Sequence, residues 1–129
     1  MNAEKTKQAL VLFAHGARAA SWAAPFERLR ELVAARTPDV DVSLAFLELM
    51  EPRLPERAAQ LVAQGVTQLT VVPVFLGQGG HVLRDLPLMV DELRLAHPGL
   101  SVRVAEAAGE NAAVLQAIGD YCIGALASQ

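Results

Sequence analysis

The fold is decided by one stretch, residues 71–87, which reads VVPVFLGQGGHVLRDLP. Its apolar first half, residues 71–76, predicts a buried strand, and the Gly-Gln-Gly-Gly segment at 77–80 predicts the loop that ends it. His81 follows this loop directly. Proteins with open parallel sheets bind their ligands beyond the carboxyl ends of the strands. The stretch therefore predicts an α/β fold with a functional histidine at that edge of the sheet.

Outward from this stretch, four strand patterns alternate with four helix patterns. We expect strands at residues 8–14, 40–49, 67–76 and 100–105, and helices at 21–37, 54–64, 85–96 and from Asn111 onward. The short connections predict a four-stranded parallel sheet in a doubly wound, three-layer αβα fold of the flavodoxin-like or chelatase-like type. The expected strand order is 2-1-3-4. Residues 1–129 are predicted to form one domain, with 1–7 flexible and 127–129 frayed.

Three local expectations accompany this fold. Pro73 cannot donate a ladder hydrogen bond, so either the third strand is bulged there or its register leaves that position unpaired. The third helix is expected to begin near Asp85, with Pro87 in its first turn. The last helix is expected to turn its apolar side chains toward the core, and with them a buried, inert thiol; these are Val114, Leu115, Ile118, Tyr121 and Cys122.

The composition excludes several classes of protein. Hydrophobic residues make up 53% of the chain and aromatic residues only 5%, which predicts an aliphatic core. The net charge of −3 provides no basic surface for nucleic acid. No apolar run approaches the roughly 20 residues that a membrane-spanning helix needs. The single cysteine cannot form an internal disulfide, which favours a reducing compartment. We expect a cytoplasmic protein with no nucleic-acid partner and no membrane partner.

Ligand-type side chains recur at a fixed interval. Glu48 lies 33 residues after His15, and His81 lies 33 residues after Glu48. Each follows a predicted strand, so a parallel sheet brings all three to its carboxyl edge. Two imidazoles and a carboxylate suit a borderline divalent ion such as Co, Fe, Ni or Zn. Glu51 and Glu106 also end strands, and either could replace Glu48 as the acidic ligand.

Other residues at this edge suggest further interpretations. Arg18, Arg53 and Arg84 follow the ends of three strands, where arginine can pair with ligand carboxylates in bidentate fashion. The glycine segment lacks the lysine of a phosphate-binding P-loop, so its glycines are better interpreted as clearance for a flat ligand. The triplet at 14–16, Ala-His-Gly, is similar to the Arg-His-Gly of histidine phosphatases, but the phosphate-binding arginine is missing. His97 ends a predicted helix and is interpreted as a partner of the helix dipole.

Three stretches together resemble a known family. They are LVLFAHGAR at 10–18, FLELMEPRLPE at 46–56 and VVPVFLGQGGHVLRDLP at 71–87. The chain is similar to the short-form sirohydrochlorin chelatases, of the cobaltochelatase and ferrochelatase type. The resemblance implies insertion of Co(II), Fe(II) or Ni(II) into sirohydrochlorin during cobalamin or sirohaem biosynthesis. It assigns metal binding and catalysis to His15, His81 and Glu48. The metal would be a substrate, with no permanently bound cofactor.

The resemblance also implies how the macrocycle is held. Arg18, Arg53 or Arg84 could pair with its carboxylates, and Gly79 and Gly80 would admit its face. Long-form relatives carry two such domains facing one another, so a homodimer is expected. The family usually has Ser at position 17, where this chain has Ala. Two alternatives stay open: a non-catalytic carrier of metal or tetrapyrrole that uses the same site, and a histidine-type phosphatase.

Overall fold

The structure, a computed structural model, describes residues 7–77 and 79–127, without the side chains of residues 80, 81 and 83. Its strands are β1 (Gln8–Ala14), β2 (Val40–Phe46), β3 (Gln68–Pro73) and β4 (Ser101–Val104). Its helices are α1 (Ala24–Arg36), α2 (Leu54–Ala63), α3 (Gly80–Ala96) and α4 (Ala112–Ala127). Short 3₁₀ turns at Ala20–Ala23 and Ala108–Glu110 precede α1 and α4.

The four strands form one parallel sheet in the order β2-β1-β3-β4. This confirms the predicted α/β fold and the predicted strand order. β1 lies between β2 and β3, with Ala14 paired to Phe46 and Phe13 paired to Pro73. The carboxyl ends of these three strands are therefore level. The residues that follow each of them are brought to the same edge of the sheet.

Side chains alternate between the two faces of β1, and each face has its own core. One face carries Phe13 with its alternate neighbours and is covered by α2 and α3, which bury Leu54, Leu61 and Val82. The other face carries Leu12 and Ala14 and is covered by α1. Two helices thus cover one face and one helix covers the other among the described residues. The resulting arrangement has helices on both sides of the sheet, as expected.

Pro73 is accommodated by register and not by a bulge. The residue before it and the residue after it, Val72 and Val74, direct their backbone groups toward β1, where the Val74 N–H donates to the carbonyl of Phe13. The backbone nitrogen of Pro73 faces the side on which β4 lies. β4 has already ended there, because its last residue, Val104, pairs with Val71. The missing N–H of proline therefore costs no ladder hydrogen bond.

The third helix begins earlier than predicted. α3 starts at Gly80 with Gly79 as its N-cap, and Pro87 lies inside the helix and not in its first turn. Burial explains the difference, because Val82, Leu86, Val90 and Leu93 recur at helical spacing and all pack into the core. The gain from this apolar stripe outweighs the hydrogen bond that Pro87 cannot donate. His81 consequently lies in the first turn of α3 and not on a loop.

The prediction for the last helix is wrong. All residues of α4 are described and none is buried, so its apolar side chains do not pack into the core of this chain. Cys122 is exposed, which also corrects the expectation of a buried thiol. The physical reason is that the main packing partner of α4 is the 3₁₀ turn ahead of it, and not the sheet.

The two chain ends were predicted to be flexible and frayed. Residues 1–6 and 128–129 lie outside the described residues. Lys7 is held in place: its carbonyl accepts from the backbone N–H of Thr67, and its Nζ donates to the carbonyl of Gln64. Ala127 is the last residue of α4. None of the helices in the described part of the chain is long and apolar enough to span a bilayer.

Candidate functional site

The three predicted ligands come to the carboxyl edge of the sheet. His15 is the first residue after β1, and Glu48 is the second residue after β2. His81 is the second residue of α3, which begins shortly after β3. The regular interval of 33 residues thus corresponds to three successive βα connections. The described backbone places all three residues at this one edge.

His15 and Glu48 are joined through their backbones. The N–H of Leu47 donates to the carbonyl of Ala14 at 2.8 Å, and the N–H of Glu48 donates to the carbonyl of His15 at 3.1 Å. The β1–β2 ladder therefore continues past the ends of both strands. Gly16 makes this approach possible, because a Cβ there would lie 1.9 Å from the Glu48 carbonyl oxygen, and its φ is +93°. Only glycine combines that conformation with that clearance.

Glu48 lies in a loop whose two ends are hydrogen-bonded to each other. The N–H of Phe46 donates to the carbonyl of Pro52 at 2.9 Å, which brings the two ends of the segment together. Leu49 lies within it at φ 68°, a left-handed conformation uncommon for leucine. Arg53 Nε donates to the Leu47 carbonyl at 3.3 Å, which stabilises the start of this loop. The Glu48 side chain is exposed in this loop.

Phe75 contacts His15 and was not predicted as a site residue. The two ring centroids lie 4.5 Å apart with an interplanar angle of 40°. Phe75 is buried and also makes an edge contact with Phe13, with 6.3 Å between their centroids. It therefore forms a fixed floor beneath the imidazole. Its signal in the sequence is that it is the only aromatic residue in the stretch 71–87.

The alternative acidic ligands are directed elsewhere or already engaged. Glu51 lines an open cleft of about 690 Å³ at the outer edge of β2, together with Glu27 and Arg30. Glu106 accepts a hydrogen bond from Asn111 Nδ2 at 2.8 Å. No described side chain forms a hydrogen bond or an ion pair with the Glu48 carboxylate. Of these three acidic residues, Glu48 is the one whose backbone is hydrogen-bonded to His15.

The predicted arginines differ in their surroundings. Arg18 is exposed and follows the His15 turn. Arg84 is also exposed, and its Nε lies 3.5 Å from Asp85 Oδ1. Arg53 is the N-cap of α2 and lines a small cleft of about 250 Å³ beside α3. Arg18 and Arg84 thus have solvent-facing guanidinium groups, whereas Arg53 supports the Glu48 segment.

The glycine segment leaves open space at the edge. A Cβ at Gly77 would meet no heavy atom within 4 Å. Gly79 is exposed, has extended backbone angles, and its carbonyl accepts from the N–H of Val82 at 3.0 Å. Gly80 opens α3 directly after it. This segment is compatible with the close approach of a flat ligand.

The described side chains do not by themselves form a metal centre. No group of three histidine, cysteine or acidic side chains among them could hold an ion. The predicted set needs the imidazole of His81, which lies outside the described side chains. His15 and Glu48 lie on adjacent loops, one with an imidazole side chain and the other with a carboxylate side chain. The third histidine, His97, is the C-cap of α3 and lies beside Pro98 and Leu100 at the other edge of the sheet.

Comparison with known proteins gives consistent matches. Residues 9–122 match the family model CbiX. A sirohydrochlorin cobaltochelatase from Methanocaldococcus jannaschii is 35% identical over 83 residues, which are 64% of this chain and 58% of that relative. This chain therefore spans less than two thirds of the length of that relative.

Solved structures of two related proteins also match this chain. The crystal structure of a candidate cobalamin (vitamin B12) biosynthesis CbiX protein from Marinobacter aquaeolei VT8 superposes with a TM-score of 0.83 at 35% identity, covering 95% of this chain and 99% of that one. The sirohydrochlorin chelatase SirB from Bacillus subtilis subspecies spizizenii, solved in complex with cobalt, superposes with a TM-score of 0.71 at 25% identity. That match covers 80% of this chain and 44% of the SirB chain.

Proposed function

We propose, because this chain belongs to the CbiX family, that it inserts a divalent metal ion, foremost Co(II), into sirohydrochlorin. One observation carries the proposal: the loops after β1 and β2 are hydrogen-bonded to each other so that His15 and Glu48 are neighbours at the carboxyl edge. The relative named as a sirohydrochlorin cobaltochelatase and the SirB chelatase solved with cobalt support the same reaction. Fe(II) and Ni(II) accept the same ligand types and are the alternative ions.

In this proposal His15 and His81 bind the incoming ion as neutral imidazoles, and Glu48 completes the set. Nitrogen and oxygen ligands without a thiolate hold a borderline ion while still allowing its release. Phe75 lies against the His15 ring and restricts its orientation. This contact reduces the conformational entropy that the His15 ring loses when the ion binds. The ion is a substrate of the reaction and leaves within the product.

Insertion exchanges one divalent ion for two protons. The macrocycle loses two pyrrole N–H protons, and its four nitrogens take the metal. Glu48 is the base that we propose for these protons, taken one at a time and released to solvent in between, because its side chain is exposed on the loop that is hydrogen-bonded to the His15 loop and no described side chain engages it. A bent ring directs its nitrogen lone pairs toward the ion. A site that binds the bent ring more tightly than the flat ring lowers the barrier to insertion.

Sirohydrochlorin carries carboxylate groups at its rim. We propose that the exposed guanidinium groups of Arg18 and Arg84 pair with them, with Arg53 in a supporting position. Gly79 and Gly80 would lie under the face of the ring, where a side chain would block its approach. A second copy of the chain would supply the opposite wall, so the active form is proposed to be a homodimer.

The test is metal insertion followed by visible absorption, with sirohydrochlorin and Co(II) in excess over protein. His15→Ala and His81→Ala are expected to abolish insertion and to leave the circular-dichroism spectrum unchanged. His97→Ala is the matched control, because it removes the third histidine at the opposite edge. Full activity in the first two variants would refute the assignment. A wild-type chain that metallates only one ring per site would be a carrier, and metal-independent hydrolysis of a phosphate ester would favour the phosphatase.

A further inference from the structure

Leu49 has a backbone conformation that leucine rarely adopts. Its φ of 68° lies in the left-handed region, where the Cβ of an L-residue crowds the backbone. Among the described residues it is the only one other than glycine with a positive φ. Glycine or asparagine would adopt this conformation at a lower cost. The local conformation of the chain therefore does not explain why a leucine stands here.

Packing within the chain does not explain the leucine either. Leu47 is buried in the core beneath α2 and α3, whereas Met50 packs against the core beneath α1. Between these two residues the chain crosses from one core to the other, which leaves Glu48 and Leu49 at the outer part of the loop. The Leu49 side chain is 58% exposed, so its burial contributes little to the stability of the fold. A strained residue with an exposed apolar side chain at a candidate site indicates contact with a ligand.

The loop that carries Leu49 is anchored beside the candidate metal ligands. The N–H of Glu48, the residue before it, donates to the carbonyl of His15, and the N–H of Phe46 donates to the carbonyl of Pro52 at the ends of the loop. A side chain on an anchored loop is already in position when a ligand arrives. Less ordering is then needed on binding than for a side chain on a free loop.

Leu76 is a second exposed leucine at the same edge of the sheet. It directly follows Phe75, which lies against the His15 ring, and its side chain is 61% exposed. Its backbone is held in place, because the N–H of Gly109 donates to the carbonyl of Phe75 at 3.0 Å and Gly109 lies against the Leu76 carbonyl. β2 and β3 flank β1 at a mutual distance of about 10 Å, which is two strand spacings. Leu49 and Leu76 therefore follow strands on opposite sides of His15.

The surroundings of the two leucines match one kind of ligand. Arg18 and Arg84 are exposed in the connections that follow β1 and β3. Apolar contacts combined with a few charged groups suit a flat molecule that has an apolar face and carboxylates at its rim. A tetrapyrrole macrocycle has this distribution of polarity.

We propose that Leu49 and Leu76 contact the face of the substrate macrocycle on either side of the incoming ion. This inference rests on the proposed function and adds the residues that would bind the apolar part of the substrate. The two leucines would hold the outer parts of the ring while His15 holds the ion beneath its centre. That arrangement fits a bent ring better than a flat one, and it therefore favours the insertion step.

The experiment separates the role of the Leu49 side chain from that of its backbone. Leu49→Asn removes the apolar side chain but suits the left-handed region, whereas Leu49→Met keeps an apolar side chain. Leu76→Asn tests the second contact. Leu95→Asn is the matched control, because Leu95 is an exposed leucine at the other end of α3. Fluorescence titration gives the Kd for metal-free sirohydrochlorin, visible absorption gives the rate of Co(II) insertion, and thermal melting gives the Tm.

Leu49→Asn and Leu76→Asn are each expected to lower kcat/KM for sirohydrochlorin at least about tenfold, because each loses the burial of one leucine side chain against the ring. The Kd for the metal-free ring is expected to rise by a smaller factor, since the bent ring makes the tighter contact. The KM for Co(II) should stay within about twofold of the wild type, because neither side chain is a metal ligand. Leu49→Met and Leu95→Asn should keep kcat/KM within about threefold of the wild type. The Tm of Leu49→Asn should be no lower than that of the wild type, because asparagine tolerates the left-handed conformation.

Three results would overturn the contact. An unchanged kcat/KM in Leu49→Asn would mean that this side chain does not touch the ring. A loss of activity that follows a lowered Tm would mean that Leu49 supports the fold of its own chain. A change of oligomeric state in Leu49→Asn, measured by light scattering, would mean that Leu49 contacts a second copy of the chain.

The proposed reaction fails by a different result. A wild-type chain that binds metal-free sirohydrochlorin but inserts no metal would refute the chelatase. A raised Kd in Leu49→Asn would then still support the contact with the ring. Conversely, a wild-type chain that inserts Co(II) as fast as its Leu49→Asn variant would refute the contact and leave the reaction standing.

Discussion

The backbone N–H of Glu48 donates to the carbonyl oxygen of His15 across 3.1 Å, beyond Ala14 and Phe46, the last pair of the β1–β2 ladder. Two residues 33 positions apart in the chain are thereby held at a fixed separation before any ligand binds. A site organised in this way does not spend binding energy on ordering its loops. The hydrogen bond also depends on Gly16, which gives the pairing a direct test.

Gly16→Ala is expected to lower the free energy of unfolding by at least about 2 kcal/mol. The new Cβ would lie 1.9 Å from the Glu48 carbonyl oxygen, on a residue with φ +93°. Gly99→Ala is the control, because a Cβ there would meet nothing within 4 Å. Urea unfolding of both variants measures the difference. Equal stability of the two would mean that the His15 and Glu48 loops are not packed as described.

Glu48→Gln is expected to slow metal insertion by about 100-fold or more, because the amide cannot accept a pyrrole proton. The fold should be unaffected, since the side chain is exposed. Glu51→Gln removes a carboxylate from the same segment that faces the β2 cleft, and its rate should stay within about twofold of the wild type. The initial rate of the absorption change gives both values. A slow Glu51→Gln and a fast Glu48→Gln would reverse the assignment.

The boundaries that the sequence predicted well are those set by local burial. β1 is a continuous apolar run buried by helices on both sides, and the structure gives it the predicted ends, Gln8 and Ala14. β2 was predicted to continue to residue 49 but ends at Phe46. It ends there because the chain turns at Leu49 and closes through the Phe46–Pro52 hydrogen bond. That turn depends on contacts with the His15 loop, which lies far away in the sequence.

The candidate site also contains residues that the sequence predicted and residues that only the contacts of the folded chain reveal. Spacing alone brought His15 and Glu48 to one edge, because the periodicity of the βα units is visible in the sequence. Phe75 was missed, because a phenylalanine at the end of a strand is indistinguishable from any other core residue until its neighbour is known. The apolar stripe of α4 was recognised as well. Its periodicity predicted burial against the core, but every residue of α4 stays at least partly exposed, because the direction of the helix is set by the 3₁₀ turn ahead of it.

Phe75→Leu is expected to lower the insertion rate about tenfold, because the His15 ring loses the aromatic face that restricts its orientation. Phe26→Leu is the matched control: it removes the same volume from the α1 core, where Phe26 contacts Trp22. Each substitution is expected to cost about 1–2 kcal/mol of stability. If both variants lose activity in proportion to stability, Phe75 acts through packing alone.

Gly109→Ala tests the link between the glycine segment and the chain that leads to α4. The N–H of Gly109 holds the carbonyl of Phe75, and a Cβ at this position would lie 1.8 Å from the Leu76 carbonyl oxygen. The clash must displace Leu76, which leads directly into the glycine segment. We expect at least about 2 kcal/mol of destabilisation and a more than tenfold slower insertion rate at a temperature where the variant remains folded. An unchanged rate in a destabilised variant would show that the position of this segment does not control the reaction.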